Sequence, residues 1–237
     1  MQLVNSILAE SETLPQIDAV GYQYVVAGNG LFIRAEDSRL AALIPIADDF
    51  TLYGLVALES VVVFKLPRIP GEYLLAIWQS ARRHLPNEAM YQLRYDNFVP
   101  DMTRNAWRIT MPRDLAAPTP TSLAFDDQAT AVIDLHSHGA MDAFFSETDN
   151  GDERGFRFYC VIGKVDTDTP EILCRVGVYG HHMLIPADRI FEVPDVFTDK
   201  CVEWQLQDEM KYGRDELSIA LEPGISETES GLLVARY

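Results

Sequence analysis

The sequence predicts a mixed α/β (α+β) protein with a small β-rich unit at its N-terminus. Two observations carry the prediction. Strand-length apolar runs recur along the chain, separated by Gly, Pro and Asp turns: Gly21–Ala27, Leu31–Arg34, Leu40–Ile46, Val61–Leu66, Ala106–Met111, Phe156–Gly163 and Glu171–Tyr179. One stretch instead has helical spacing, with Tyr73, Leu74, Ile77, Trp78 and Ala81 on one face. Hydrophobic residues make up 48% of the 237, enough to bury a sizeable core.

Residues 1–15 have no clear period and read as a helical or loose segment. Gly28, Asn29 and Gly30 mark a hairpin turn between the first two strands. The run Leu52–Leu58 is a further apolar stretch before Val61–Leu66, and Pro67 to Gly71 ends that run. A helix over about 71–85 follows, with Arg82, Arg83 and His84 placed to complement its C-terminal dipole. Pro86 and Asn87 stop it, and Glu88–Tyr95 alternates like a strand, although its first turn also suits a helix start. Residues 112–128 are rich in Pro, Asp and Thr and read as a long, functional or mobile loop. Phe156–Gly163 and Glu171–Tyr179 form a plausible antiparallel pair. These elements divide the chain into an N-terminal β-rich unit (1–64), a central domain (65–192) and an acidic C-terminal segment (193–237) that wraps the rest.

The formal net charge of −17 argues against nucleic acid or an anionic membrane surface as a partner, because both select for Lys/Arg patches. No apolar stretch reaches the ~20 residues of a membrane helix, and the first ten residues lack the basic and apolar regions of a signal peptide. A cytoplasmic location is the expectation. Cys160, Cys174 and Cys201 form no Cys-x-x-Cys pair, and the first two sit in apolar runs as buried, reduced strand residues.

The chemistry gathers in residues 131–149. Val132, Ile133 and Leu135 make a short apolar run, which reads as a strand over 130–138. Residues two apart on a strand share a face, so His136 and His138 can aim two imidazoles at one point. Asp149, after a loop, is placed to supply a third ligand. Two neutral imidazoles and a carboxylate suit Zn²⁺ and leave a fourth position for water, the pattern of a catalytic site. Ser146, with an acid three residues on, looks like a helix N-cap. It has two readings, as the cap that positions Asp149 and as a donor to an oxyanion. Glu59 and Glu88 are the upstream candidates for a general base. Asp134 shares strand parity with the histidines and is open either to an imidazole bond or to solvent. Asp142 is a further nearby carboxylate, His181 and His182 read as surface or packing residues, and Phe144 and Phe145 either line a groove or bury under the loop.

His136-x-His138, seven residues, Ser146, two residues, Asp149 resembles the signature of the JAMM (MPN, JAB-type) metalloproteases. The family also carries a Glu shortly after a first long helix, and Glu88 stands there; Glu59 precedes the helix. The sequence departs from the family at Tyr91 and Tyr95, where glycines are common, and at Gly139 and Phe145, where prolines are frequent. Within the family the stretch from His136 to Asp149, with Phe144 and Phe145 before the Ser, looks most like the PRTRC system protein A group. The resemblance implies a cytidine-deaminase-like fold, a curved mixed sheet with flanking helices. It implies that His136, His138 and Asp149 bind zinc, that Glu88 is the general acid/base and that Ser146 helps hold the oxyanion. The implied activity is hydrolysis of a peptide or isopeptide bond. A peptide or protein substrate follows, such as the C-terminal tail of a ubiquitin-like or sulfur-carrier protein that works with an E1-like partner. The other outcome the family offers is a catalytically silent scaffold that binds a partner protein.

Overall fold

Alternation along the apolar runs produces two β-sheets, the first built from the N-terminal quarter. The computed structural model describes residues 2–48, 50–96, 106–111, 131–212 and 234–236. In the first sheet β1 (Gln2–Leu8) pairs in parallel with β2 (Ala19–Ala27). Next come β3 (Gly30–Glu36), β4 (Leu40–Ala47) and β5 (Val61–Phe64), each antiparallel to its neighbour. A C-terminal strand, Val234–Arg236, closes this sheet against β5, so the last described residues return to the first unit. The predicted 112–128 loop lies outside the described residues.

The N-terminal expectation is corrected here: residues 2–8 are neither helical nor loose but an edge strand. Asn5 and Ser6 break the apolar alternation, so the strand is made by its pairing with β2 and by Ile7, which packs on a cluster of Val25, Ala27 and Phe32. The run Leu52–Leu58 forms no strand. Its amides and carbonyls bond instead to residues 9 and 28, and Leu58 buries in the same cluster.

The helix α1 (Gly71–His84) ends one residue before its predicted limit. It buries Leu74, Ile77 and Ala81, and its Tyr73 hydroxyl and Trp78 indole donate to the Trp107 and Val165 carbonyls. The second sheet has the order β11-β10-β9-β8-β6-β7. Its strands are β6 (Met90–Tyr95), β7 (Trp107–Thr110), β8 (Ile133–Ser137), β9 (Phe156–Gly163), β10 (Glu171–Val178) and β11 (His181–Ile185). Only β8 and β9 run parallel along that order, and the predicted pairing of β9 with β10 is antiparallel, as expected. The short β12 (Thr198–Asp199) adds to β10 in parallel. The fold is thus α+β, with few helices and two mixed sheets.

The two faces of the second sheet differ in chemistry. Tyr91, Leu93, Ile133, Leu135, Phe158, Cys160, Ile162, Cys174 and Val176 share the inner face. They form one core with α1 and with Ile33, Ala35 and Ile44 of the first sheet. Cys160 and Cys174 are free and buried, as their apolar runs predicted, and they stand directly opposite each other on β9 and β10. The other face carries His136, Asp134, Gln92, Tyr159 and Arg175, and the functional chemistry lies there. Among the described residues, no helix is long and apolar enough to cross a membrane.

Gly163, at the end of β9, sets how close the loop after His138 can come. A Cβ there would overlap the Ala143 amide nitrogen and the Asp142 carbonyl carbon. Backbone bonds from Lys164 to Met141 and from Val165 to Gly139 fix the same approach. Gly163→Ala is therefore expected to destabilise the protein by about 1–3 kcal/mol, the usual range for overpacking. Urea unfolding measures it, and an unchanged midpoint would contradict the packing argument.

Candidate metal centre

His136 lies on β8 and His138 one residue beyond it, where the His138 amide still bonds to the Ile162 carbonyl of β9. Both rings are buried, and their Nε2 atoms approach to 3.1 Å. Asp149 comes from α2 (Glu147–Asp152). Ser146 caps this helix in a complete capping box: its hydroxyl accepts the Asp149 amide and the Asp149 carboxylate accepts the Ser146 amide. The box turns the Asp149 carboxylate back toward β8, with Oδ1 3.5 Å from His136 Nε2. One ligand atom from each of His136, His138 and Asp149 lies within 4.8 Å of the other two.

This donor set fits a zinc ion. Two ring nitrogens 3.1 Å apart can share one proton or, with both lone pairs free, face one cation together. Ligands at ~2.0–2.1 Å in a tetrahedron stand about 3.3 Å from one another, close to the observed 3.1 and 3.5 Å. Burial pushes the His136 imidazole down to about 4, with Asp149 opposing and His138 and Arg175 adding to the shift. The ring is thus neutral, as a metal ligand must be. Burial alone would raise the Asp149 carboxyl. The facing imidazoles, whenever one is protonated, and the two bonds from Ser146 outweigh it, so the group is held below its ordinary value and ionised.

Ser146 Oγ also donates to Asp149 Oδ2 at 2.7 Å, on the carboxylate oxygen that does not face His136. In this arrangement the hydroxyl proton is committed to Asp149, the positioning role. Glu88, between α1 and β6, is exposed. Partial desolvation raises its carboxyl above the ordinary value; His138 opposes this and Asp149 adds to it, so Glu88 is within electrostatic reach of both. Glu59 is exposed in the segment just before β5 of the first sheet, whereas His136 lies on β8 of the second.

Asp134 makes no imidazole bond among the described residues, which corrects the second-sphere reading. Its carboxylate accepts from Gln92 Nε2 at 2.8 Å and Arg157 Nη1 at 3.0 Å, because those residues, not the histidines, lie beside it across the strands. Asp142 pairs with Lys164 at 3.3 Å. His182 bonds the Glu153 carbonyl and His181 packs by Tyr24, the predicted packing roles. Phe144 is partly exposed and sets its edge on the His138 ring at 4.4 Å, whereas Phe145 tucks beneath Arg175, 3.8 Å from the guanidinium.

Arg175 escaped the sequence reading. Buried on β10, it bonds Asn150 and Glu153 and so ties α2, with Asp149, to the sheet. The available signal was a lone cation in the run Ile172–Val178. Glu171 has a similar role: its buried carboxylate accepts the Ala143 amide and holds the loop between His138 and Ser146.

Residues 70–175 match the family model of prokaryotic homologs of the JAB domain. Two solved structures show similarity. One is the solution structure of protein DSY2949 from Desulfitobacterium hafniense, at 18% identity over 56% of this chain and 92% of that one, with a TM-score of 0.39. The other is described as a JAMM metalloprotease-like zinc site in the proteasome and signalosome, at 17% identity over 50% of this chain and 93% of that one, with a TM-score of 0.31. No curated protein matches the chain. The matched stretch, residues 70–175, runs from the residue before α1 into β10 and takes in Glu88, His136, His138, Ser146 and Asp149, so this part of the chain is similar to the prokaryotic JAB family.

Proposed function

We propose that this protein is a zinc-dependent metallopeptidase that hydrolyses a peptide or isopeptide bond. One observation carries the reading: two imidazole nitrogens and a capped carboxylate converge at a buried point, with Glu88 within electrostatic reach of two of them. Zn²⁺ held by His136, His138 and Asp149 would act as a Lewis acid and bring the pKa of its water to about 7. The protein's own part is proton traffic and orientation. Glu88 takes the proton of the attacking water and passes it to the leaving nitrogen, and its raised pKa suits both directions of transfer. Ser146 keeps Asp149 aimed at His136. Phe144 fixes the plane of His138, whose Nδ1 has no hydrogen-bond partner among the described residues.

The C-terminal tail of a ubiquitin-like or sulfur-carrier protein, working with an E1-like enzyme, is the substrate class that the JAMM resemblance favours. The PRTRC grouping rests on the residues from His136 to Asp149 and the following strand that ends Val161, Ile162, Gly163. A silent, partner-binding scaffold is the second reading, favoured by the Ser146 proton being held by Asp149 rather than free for an oxyanion. The test uses a ubiquitin-like protein extended at its C-terminus by a short peptide. Release of the peptide should stop with 1,10-phenanthroline and return with added Zn²⁺. Full zinc loading with stable binding and no cleavage would favour the scaffold.

A further inference from the structure

The residue between the two histidines has its own task. β6 and β8 pair with Met90 opposite His136, so the next pair in register is Ala89 with Ser137. There the Ser137 amide donates to the Ala89 carbonyl at 2.9 Å, as an antiparallel ladder requires. The reciprocal bond is different. The Ala89 amide donates to Ser137 Oγ at 3.0 Å, so a side-chain hydroxyl replaces the backbone carbonyl where β8 turns away into His138 and Gly139. Both residues are buried, at 2% and 1% exposure, so no solvent competes for that amide.

The Ala89 N–H belongs to the peptide unit that joins Glu88 to Ala89. Fixing that plane fixes the backbone angle that aims the Glu88 side chain. The same arm is bordered by Gly139, which sits in the left-handed region at φ 58° and lies against Leu85 and Pro86. Residues 85–89 are therefore docked along the His-Ser-His stretch, and among the described residues the Ser137 hydroxyl ties this arm to β8 through a side chain.

We propose that Ser137 is a positioning residue: by accepting the Ala89 amide it holds Glu88 in place beside the metal-binding histidines. The inference rests on the reading of Glu88 as the acid–base group. By alternation Ser137 faces away from His136 and His138, so it acts on Glu88 and not on the metal.

The test uses the full chain in four forms: wild type, Ser137→Ala, Ser137→Thr and Glu88→Gln. In the metal-free protein, NMR reads amide exchange at Ala89. Ser137→Ala should speed it about tenfold, the equivalent of one lost hydrogen bond, and Ser137→Thr, which keeps the acceptor, should not. The second readout is the pH midpoint of the Co²⁺ d–d absorption, with Co²⁺ as the probe. All four forms should bind one Co²⁺ per chain. Ser137→Ala should move the midpoint toward that of Glu88→Gln, and Ser137→Thr should restore it. An Ala89 amide as slow as wild type in Ser137→Ala overturns the inference. So does an unmoved midpoint in Ser137→Ala while Glu88→Gln shifts it. If Glu88→Gln itself leaves the midpoint in place, the acid–base reading falls first and takes this inference with it. Should Ser137→Ala not fold, Ser137→Cys, near-isosteric and a weak acceptor, stands in with the same outcomes.

Discussion

His136→Ala and Asp149→Asn each lower zinc affinity about 10²–10³-fold. The estimate takes a quarter of the ~10–16 kcal/mol with which four-ligand zinc sites bind. Competition with a chromophoric chelator measures it, and zinc content of the purified proteins gives the coarse answer: about one per chain in wild type and little in either variant. The geometry separates these from milder changes. Ser146→Ala keeps all three ligands but removes the cap and the 2.7 Å bond that orients Asp149. Its loss should be about 10–100-fold, typical of a group that holds a ligand in place. Asp134→Asn should leave zinc binding unchanged, since Asp134 serves Gln92 and Arg157. Equal, near-zero zinc in wild type and variants would remove the metal centre from the account.

The parts of this site set by local spacing were legible in the sequence. His136 and His138 stand two apart on a strand, and Ser146 and Asp149 stand three apart at a helix start. Each spacing determines geometry without knowledge of the rest of the chain. The amphipathic period of α1 and the hairpin of β2 and β3 were readable for the same reason. Residues whose task depends on which strand lies alongside were not. Asp134 meets Gln92 on one side and Tyr159 on the other, and Arg175 lies beyond Tyr159, so one row across four strands decides their partners. Parity alone put Asp134 near the imidazoles; the row shows it two residues below them. β1 was hidden because Asn5 and Ser6 interrupt its pattern, while its pairing with β2 supplies the structure. Glu88 was an intermediate case. Nothing in its own spacing marks it as a base, and the family resemblance selected it over Glu59.

Glu88→Gln should keep its zinc and lose about 10²–10⁴-fold in the rate of bond cleavage, the usual contribution of a positioned acid–base group. The substitution keeps size and hydrogen-bonding capacity and removes only the ability to take a proton. Zinc affinity should stay within a few-fold of wild type, because His136, His138 and Asp149 hold the ion without Glu88. Glu59→Gln is the control: it changes an exposed side chain just before a strand of the other sheet, so it should change neither zinc nor rate. If Glu59→Gln abolished cleavage and Glu88→Gln stayed active, the base would have been assigned to the wrong residue. The pH profile adds an independent check. Partial desolvation raises the Glu88 carboxyl in the metal-free protein, and the nearby His138 only partly opposes it. A base must be ionised to take a proton, so activity falls as pH drops through the pKa of Glu88. Bound Zn²⁺, as a cation, lowers the Glu88 carboxyl from its raised metal-free value, so the acid limb of the zinc-loaded enzyme lies below the Glu88 titration of the metal-free protein. Replacing Zn²⁺ by Co²⁺ should move this limb modestly, whereas Glu88→Gln should remove it from whatever residual rate remains.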